Sequence, residues 1–175
     1  TRTSSSAASD VYKRQPLIMG GEQERGLRGG TESTHNIHGL KIALEEAHKN
    51  LLDDKKKVKS LKELFLKRVH KSVENVEVNG NFNESSYTIL NLRFPISKEK
   101  KDLINFKLEL AGIACSSGSA CQSGSSEPSH VLSEILTKEE MEKISIRFSF
   151  SKFNSKNEII YAADTIKNLS LIHIS

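Results

Sequence analysis

The chain has 175 residues, which is enough for one domain with a hydrophobic core, and its net charge is +4. Residues 1–15 contribute +2 of that charge, so too little remains on residues 16–175 to indicate a nucleic-acid-binding protein. The two cysteines are too few for a disulfide framework, and no run of about 18 apolar residues predicts a membrane span. We therefore expect a reducing, cytoplasmic compartment, with an organelle as the alternative.

The two ends of the chain differ from its middle. Residues 1–15 are rich in Ser and Ala and lack apolar periodicity, and residues 170–175 follow the last periodic segment. Both ends resemble translated sequencing-adaptor sequence. We expect them to be non-native and assign the domain to residues 16–169.

A glycine-rich segment opens the predicted domain. Five of the ten glycines fall within residues 20–31, which predicts a loop with tight turns. A helical region should follow, capped within residues 31–34, because apolar residues then recur mostly three or four positions apart. These residues are Ile37, Leu40, Leu44, Ala47, Leu51, Val58, Leu61, Phe65 and Val69. The lysine run at residues 55–59 falls mostly on the polar face of this helix and indicates a solvated surface.

Two strands are predicted next. Residues 75–79 predict a short strand with a turn at Asn79–Gly80. Residues 86–94 predict a longer strand that Pro95 stops. Leu90, Leu92 and Phe94 share one face of this longer strand.

Helices and one more strand complete the predicted order. A helix should run from Lys98 to Leu110 with Ser97 as its cap, and residues 127–136 should form a short helix with Pro128 in its first turn. The stripe of the first helix is predicted at Leu103, Phe106 and Leu110, widened by Ile104 and Leu108. Residues 143–149 alternate as a strand does, and the capping box Ser155–Glu158 predicts a last helix that ends at Leu169. This order indicates an α/β fold with an α+β-like small domain.

Cys121 lies within residues 111–127, a loop of small polar residues. A thiol reacts as its thiolate, and a mobile polar loop ahead of a helix suits a partly exposed cysteine that acts as a nucleophile. The alternative is a flexible surface loop with an incidental cysteine. Cys115 has apolar neighbours and is expected to be a small buried side chain.

Three segments in the same order resemble the cysteine desulfurases of the NifS/IscS type, which are class V aminotransferase-like pyridoxal phosphate enzymes. Residues 116–132 contain Ser-Ser-Gly-Ser-Ala-Cys-Gln-Ser and Glu-Pro-Ser-His-Val-Leu, which are similar to the active-site segment of that family. Residues 23–31 look like its glycine-rich motif, and residues 146–149 like its substrate-binding strand. The resemblance covers residues 16–169 and implies the carboxy-terminal part of a fold-type I pyridoxal phosphate transferase, a homodimer at full length.

The resemblance also implies roles for single residues. Cys121 would accept sulfur from L-cysteine as a persulfide, with release of L-alanine, for iron–sulfur cluster assembly or tRNA thiolation. Arg147 would hold the substrate carboxylate with its planar guanidinium, although a surface arginine on an edge strand is the alternative. Thr31 would contact the phosphate of pyridoxal 5'-phosphate, and Arg28 would lie near that phosphate or the mouth of the site. Partners would be a sulfur acceptor or an iron–sulfur scaffold protein, with which Cys121 could share a cluster as a metal ligand.

One departure from the family limits these implications. The lysine that binds the cofactor in the family has no counterpart here, so we expect the chain to be a fragment that is inactive alone. A non-catalytic sulfur carrier or interaction module that uses only the mobile cysteine is the second hypothesis, and a selenocysteine lyase-type relative is a third. The histidines, including His35 and His38, form no metal-ligand pattern with the cysteines and are expected to be solvated.

Overall fold

The computed structural model describes residues 16, 18–117 and 129–173, the last four by their backbone alone. Its helices are α1 (Thr34–Ser72), α2 (Lys101–Leu110), α3 (His130–Ile135), α4 (Lys138–Met141) and α5 (Lys156–His173), with 3-10 turns at Gln23–Gly26 and Lys98–Lys100. Its strands are β1 (Glu77–Val78), β2 (Ile89–Ser97) and β3 (Lys143–Ser149). The chain divides into two compact units, residues 1–49 and residues 50–175. The predicted α/β class with an α+β-like small domain is confirmed.

The second unit is built on an antiparallel sheet with the strand order β1-β2-β3. Side chains alternate between its two faces, and the apolar ones point to the core. As predicted, Leu90, Leu92 and Phe94 share one buried face, and the alternating residues of β3 join them. The other face carries polar side chains, namely Asn91, Arg93, Ser145 and Arg147. The sheet thus has one apolar face and one polar face.

Helices cover the apolar face. The second half of α1 contributes Phe65, whose ring centroid lies 4.8 Å from that of Phe148 and 5.5 Å from that of Phe150. Other core residues from α1, α2 and α5 are Val58, Leu61, Val69, Ile104, Leu108, Ile159, Ala163 and Ile166. The predicted apolar face of α1 is therefore confirmed for its second half.

The first half of α1 is helical as predicted, but its apolar face is not buried. Its apolar residues are exposed, and the exposed fraction reaches 70% at Leu40 and 67% at Leu44. No strand or second α-helix covers them within the described residues of the first unit. None of the helices in the described part of the chain combines the length and apolar content that membrane crossing requires.

Strand β2 differs from the prediction at both ends. It begins at Ile89 instead of residue 86, and it continues through Pro95 to Ser97. The register shifts between Phe94, opposite Ile144, and Ser97, opposite Lys143. Proline has no N–H to donate to a ladder, and an irregularity of this kind tolerates the missing bond without ending the strand.

The helix after β2 also needs correction. It starts as the 3-10 turn Lys98–Lys100, where Ser97 Oγ accepts a hydrogen bond from the amide of Glu99, and becomes α-helical at Lys101. The main residues of the predicted stripe are wrong, and only the two that were predicted to widen it, Ile104 and Leu108, are buried. Leu103, Phe106 and Leu110 are exposed. Two residues four apart thus pack this short helix against the core.

Helix α5 has the predicted capping box. The Ser155 amide donates to Glu158 Oε2 at 2.7 Å, and the Glu158 amide donates to Ser155 Oγ at 3.2 Å. The helix continues to His173. A second capping box, Thr137 with Glu140, starts α4, a helix that the sequence analysis missed. Pro128, predicted in the first turn of α3, lies outside the described residues.

The glycine-rich segment of the first unit forms a loop in which two backbone stretches come close together. The Gly29 amide donates to the Ile18 carbonyl oxygen at 2.9 Å, and a Cβ on Gly29 would lie 2.7 Å from Gly20 Cα. That distance is shorter than real Cβ contacts, so the loop needs glycine at this position. The predicted tight turns are present, with φ of 78° at Gly26 and 105° at Gly30.

We expect Gly29→Ala to open this loop. The added Cβ meets backbone atoms of Gly20, which cannot rotate away as a side chain would. Hydrogen exchange at the Gly29 amide should rise. Gly39→Ala is the matched control, since Gly39 lies inside α1 with no atom near its Cβ position and should stabilise the helix by about 0.5–1 kcal/mol. Unchanged exchange at Gly29 would contradict the steric argument.

We expect Glu158→Gln to reduce the loss of folding stability that occurs as the pH falls. Hydrogen bonds from the backbone and side chain of Ser155 hold the pKa of Glu158 below its ordinary value of 4.5. Because the folded-state pKa is the lower one, this stabilisation is present above the unfolded pKa and is lost as the pH falls through the folded pKa. Urea unfolding at pH 7, 5 and 3 should show a smaller loss of stability for the variant. Glu84→Gln, on an exposed turn, should follow the wild type.

Candidate functional site

Arg147 lies near the end of β3 on the polar face of the sheet, between Ile146 and Phe148, which face the core. Its side chain is half-buried. The Nε atom is buried and has no hydrogen-bond partner, and Arg147 forms no ion pair within the described part of the chain. A guanidinium with an unused donor in a half-buried position is able to receive a carboxylate through two parallel hydrogen bonds.

The backbone of Arg147 pairs with Ser116, the residue at the start of the predicted cysteine loop. The Arg147 amide donates to the Ser116 carbonyl oxygen at 2.7 Å, and the Ser116 amide donates to the Arg147 carbonyl oxygen at 3.1 Å. Both backbone groups of Arg147 therefore point away from β2. It follows that Arg147 and its β2 partner Asn91 form a non-hydrogen-bonded pair, the type in which opposing side chains lie closer together.

Cys121, the predicted nucleophile, lies outside the described residues. In the sequence it follows Ser117, the last described residue before this gap, by four positions.

Cys115 lies just before this segment and is half-buried, with its thiol free. Its side chain packs against the core. Burial raises the pKa of the Cys115 thiol, which favours the unreactive protonated form. These observations support its prediction as a small packed side chain.

Asn105 in α2 is a residue that the sequence analysis missed. Its Nδ2 donates a hydrogen bond to Ser117 Oγ, across 12 residues of sequence. Its Oδ1 is buried and has no partner within the described part of the chain. Its position in the sequence gave no signal of this contact, because Ser117 lies outside α2.

A second group that the sequence analysis missed surrounds Arg93 on the polar face of the sheet. Arg93 is 4% exposed and donates to Glu77, to Glu140 Oε1 at 2.5 Å and to Asn79 Oδ1 at 2.7 Å. Asn79 in turn donates to Asn91 Oδ1 at 2.8 Å and to Ser145 Oγ at 2.9 Å. This network holds Asn91, which lies opposite Arg147, and Ser145, which lies two residues before it.

Hydrogen bonds from Thr137 hold the pKa of Glu140 below its ordinary value, and the nearby Arg93 charge lowers it further. Glu140 thus remains a carboxylate that neutralises the buried guanidinium. The Arg93 network leaves Arg147 as the arginine of this face without a carboxylate partner among the described residues.

The predicted cofactor-binding residues belong to the first unit. Thr31 is exposed and lies three residues before the first residue of α1, a helix of 39 residues. A helix amino terminus presents free amides and the positive end of the helix dipole, which suits a phosphate. Arg28 is already engaged, because it donates to Glu32 Oε2 at 2.8 Å and to the Gly30 carbonyl oxygen at 3.2 Å. In the described ranges no group of three His, Cys, Asp or Glu side chains could hold a metal ion.

Comparison with known proteins gives relatives for most of the chain. Residues 11–161 match the family model described as aminotransferase class-V. The chain is 42% identical over 151 residues to the cysteine desulfurase IscS of Rickettsia rickettsii, covering 86% of this chain and 36% of that protein. It is 40% identical over 156 residues to the mitochondrial cysteine desulfurase of Arabidopsis thaliana, covering 89% of this chain and 34% of that protein.

Solved structures agree with these relatives. A NifS-like protein from Rickettsia africae superimposes with a TM-score of 0.69 at 28% identity, over 89% of this chain and 39% of that chain. Another NifS-like protein also gives a TM-score of 0.69, at 26% identity, over 90% of this chain and 39% of that chain. The predicted fold of part of a fold-type I pyridoxal phosphate enzyme is therefore confirmed.

The chain spans about a third of the length of these curated relatives. Within that third, the match includes the glycine-rich loop, the polar face of the sheet and the segment that contains Cys121. The resemblance to cysteine desulfurases of the NifS/IscS type is confirmed by the named relatives. The chain belongs to the class-V aminotransferase family.

Proposed function

We propose that this chain is the part of a cysteine desulfurase that binds the carboxylate of L-cysteine and accepts its sulfur. The single observation that carries the proposal is the arrangement at Arg147. Its guanidinium has no carboxylate partner among the described residues, while its backbone holds the start of the segment that contains Cys121. The residue that binds the substrate would therefore also hold, through its backbone, the start of the segment that accepts sulfur.

Arg147 would orient the substrate. Two parallel hydrogen bonds from its guanidinium to the α-carboxylate fix the amino acid by one end. The half-buried position strengthens this interaction, because water competes less there than at the surface. Asn91, which lies opposite Arg147 in the sheet, is itself held by a hydrogen bond from Asn79.

Cys121 would act as the sulfur acceptor. Its thiolate attacks the substrate sulfur, so a sulfur–sulfur bond forms as the carbon–sulfur bond breaks. The electron pair of the broken bond stays with the substrate carbon, which takes up a proton and leaves as part of L-alanine. Cys121 is left as a persulfide that the loop presents to an acceptor protein.

Pyridoxal 5'-phosphate, when bound, supplies the electron sink that makes the substrate carbon–sulfur bond labile. The exposed Thr31 hydroxyl and the amides at the amino terminus of α1 fit its phosphate. Arg28 fits a supporting role, in which its bonds to Glu32 and Gly30 shape the loop that presents Thr31. The remaining cofactor contacts belong to the two thirds of the relatives that this chain does not span.

We also propose partners that follow from the same chemistry. A persulfide must be passed on, so the acceptor would be an iron–sulfur scaffold or a tRNA-thiolation protein, and Cys121 could ligate a cluster shared with that scaffold. The protein would act as a homodimer in a reducing compartment, cytoplasmic or organellar. A sulfur carrier without catalytic activity is the competing hypothesis.

A chimaera tests the function directly. This chain would replace the matching part of the cysteine desulfurase of Rickettsia rickettsii, and sulfide and alanine release from L-cysteine would be measured with pyridoxal phosphate. We expect the chimaera to release both, and this chain alone to release neither. A folded, cofactor-loaded chimaera without activity would contradict the desulfurase and favour the carrier.

In the active chimaera, Cys121→Ser should abolish sulfur transfer, because a hydroxyl cannot form the persulfide. Cys115→Ser is the matched control and should be mild, since Cys115 is packed and protonated. Mass spectrometry of the trapped persulfide locates the sulfur. A persulfide on Cys115 in the wild-type sequence would reverse the assignment.

Arg147→Gln should raise the KM for L-cysteine by about tenfold to a hundredfold, as expected for the loss of hydrogen bonds to a charged carboxylate. Arg68→Gln is the control, because Arg68 is a surface arginine that pairs with Asp164. Steady-state kinetics over a range of cysteine concentrations provide the measurement. An unchanged KM in Arg147→Gln would show that Arg147 is only a surface residue.

A further inference from the structure

Asn105 is a partly buried polar residue of α2. Asparagine is a weak helix former, and α2 is short. Its Oδ1 is buried and has no partner among the described residues, which destabilises the fold. Within the same part of the chain, its side chain makes one hydrogen bond, from Nδ2 to Ser117 Oγ. This bond offsets part of the cost of the asparagine.

Ser116 and Ser117, which we call the stem, are held from two different elements. The backbone of Ser116 pairs with Arg147 of β3, and the side chain of Ser117 pairs with Asn105 of α2. Among the described residues, the backbone pair is an isolated bridge outside the named strands. Even a complete two-stranded hairpin is only marginally stable in water, so a second attachment stabilises the stem.

We propose that Asn105 is a positioning residue that fixes the stem against β3, so that the segment with the acceptor cysteine starts beside Arg147. The role in sulfur acceptance rests on the proposed function, whereas the contacts of Asn105 with the stem do not. Arg147 is also paired with Asn91 of β2, and that pairing does not involve the stem. Loss of Asn105 should therefore impair sulfur acceptance and spare carboxylate binding.

Hydrogen exchange of the 175-residue chain, resolved by residue, tests the geometry. The amides of Ser116 and Arg147 donate to each other's carbonyl groups, so they report on the stem directly. Asn105→Leu keeps the branched shape of the side chain but removes the bond, and exchange at both amides should rise about threefold to tenfold. Asn105→Asp should restore protection, because its carboxylate accepts a hydrogen bond from the Ser117 hydroxyl.

Ser117→Ala removes the same hydrogen bond by changing its acceptor, and exchange at both amides should rise as in Asn105→Leu. Because Ser117 lies outside α2, this variant tests the bond even if Asn105→Leu disturbs folding of the helix. Ser116→Ala is the control, since only the backbone of Ser116 takes part in the bridge. The proposal is overturned if Asn105→Leu and Ser117→Ala leave both amides protected. It is also overturned if Asn105→Asp exchanges as fast as Asn105→Leu, which would indicate a packing role.

Kinetics of the cofactor-loaded chimaera separate this proposal from the proposed function. Asn105→Leu should lower kcat for sulfur release several-fold while the KM for L-cysteine stays within about twofold. A rise in KM with unchanged kcat would overturn the positioning role. If the chimaera is inactive with Asn105 intact, the desulfurase proposal fails, and the exchange results still decide whether Asn105 fixes the stem.

Discussion

The pairing of β2 with β3 is the constraint on which the rest of the second unit depends. Seven residue pairs join these strands, and side chains alternate strictly between the faces up to the irregularity after Phe94. Core packing against α1, α2 and α5 therefore determines the orientation of every second residue. Arg147 faces away from the core because Ile146 and Phe148 face into it. A shift of one residue would bury Arg147 and expose the core residues.

The polar face of the sheet carries two arginines with different surroundings. Arg93 lies opposite Ser145, two residues from the strand position of Arg147, and is surrounded by carboxylate and amide oxygens. A buried cation needs such partners, because the cost of removing it from water is large. Arg147 has no such set among the described residues. The difference marks Arg93 as structural and leaves Arg147 available to a carboxylate from outside the chain.

Sequence periodicity predicted the parts of the fold that local patterns control. The alternation in β3, the core face of the second half of α1 and the Ser155–Glu158 capping box all follow from residue spacing. The stripe of α2 was wrong because five apolar residues in ten fit more than one helical face, and only tertiary packing chose Ile104 and Leu108. The Arg93 network and Asn105 depend on contacts between distant segments, so spacing along the chain carried no sign of their partners.

The bridge between Ser116 and Arg147 also separates the two cysteines. On its amino-terminal side, Ile113 and Cys115 pack against the core, and burial raises the pKa of the Cys115 thiol. On its carboxy-terminal side, the sequence changes to Ser, Gly and Ala, which offer little apolar surface to bury. The two cysteines, six residues apart, thus lie on opposite sides of the bridge, in stretches of different composition. The different roles proposed for Cys115 and Cys121 follow this change in composition.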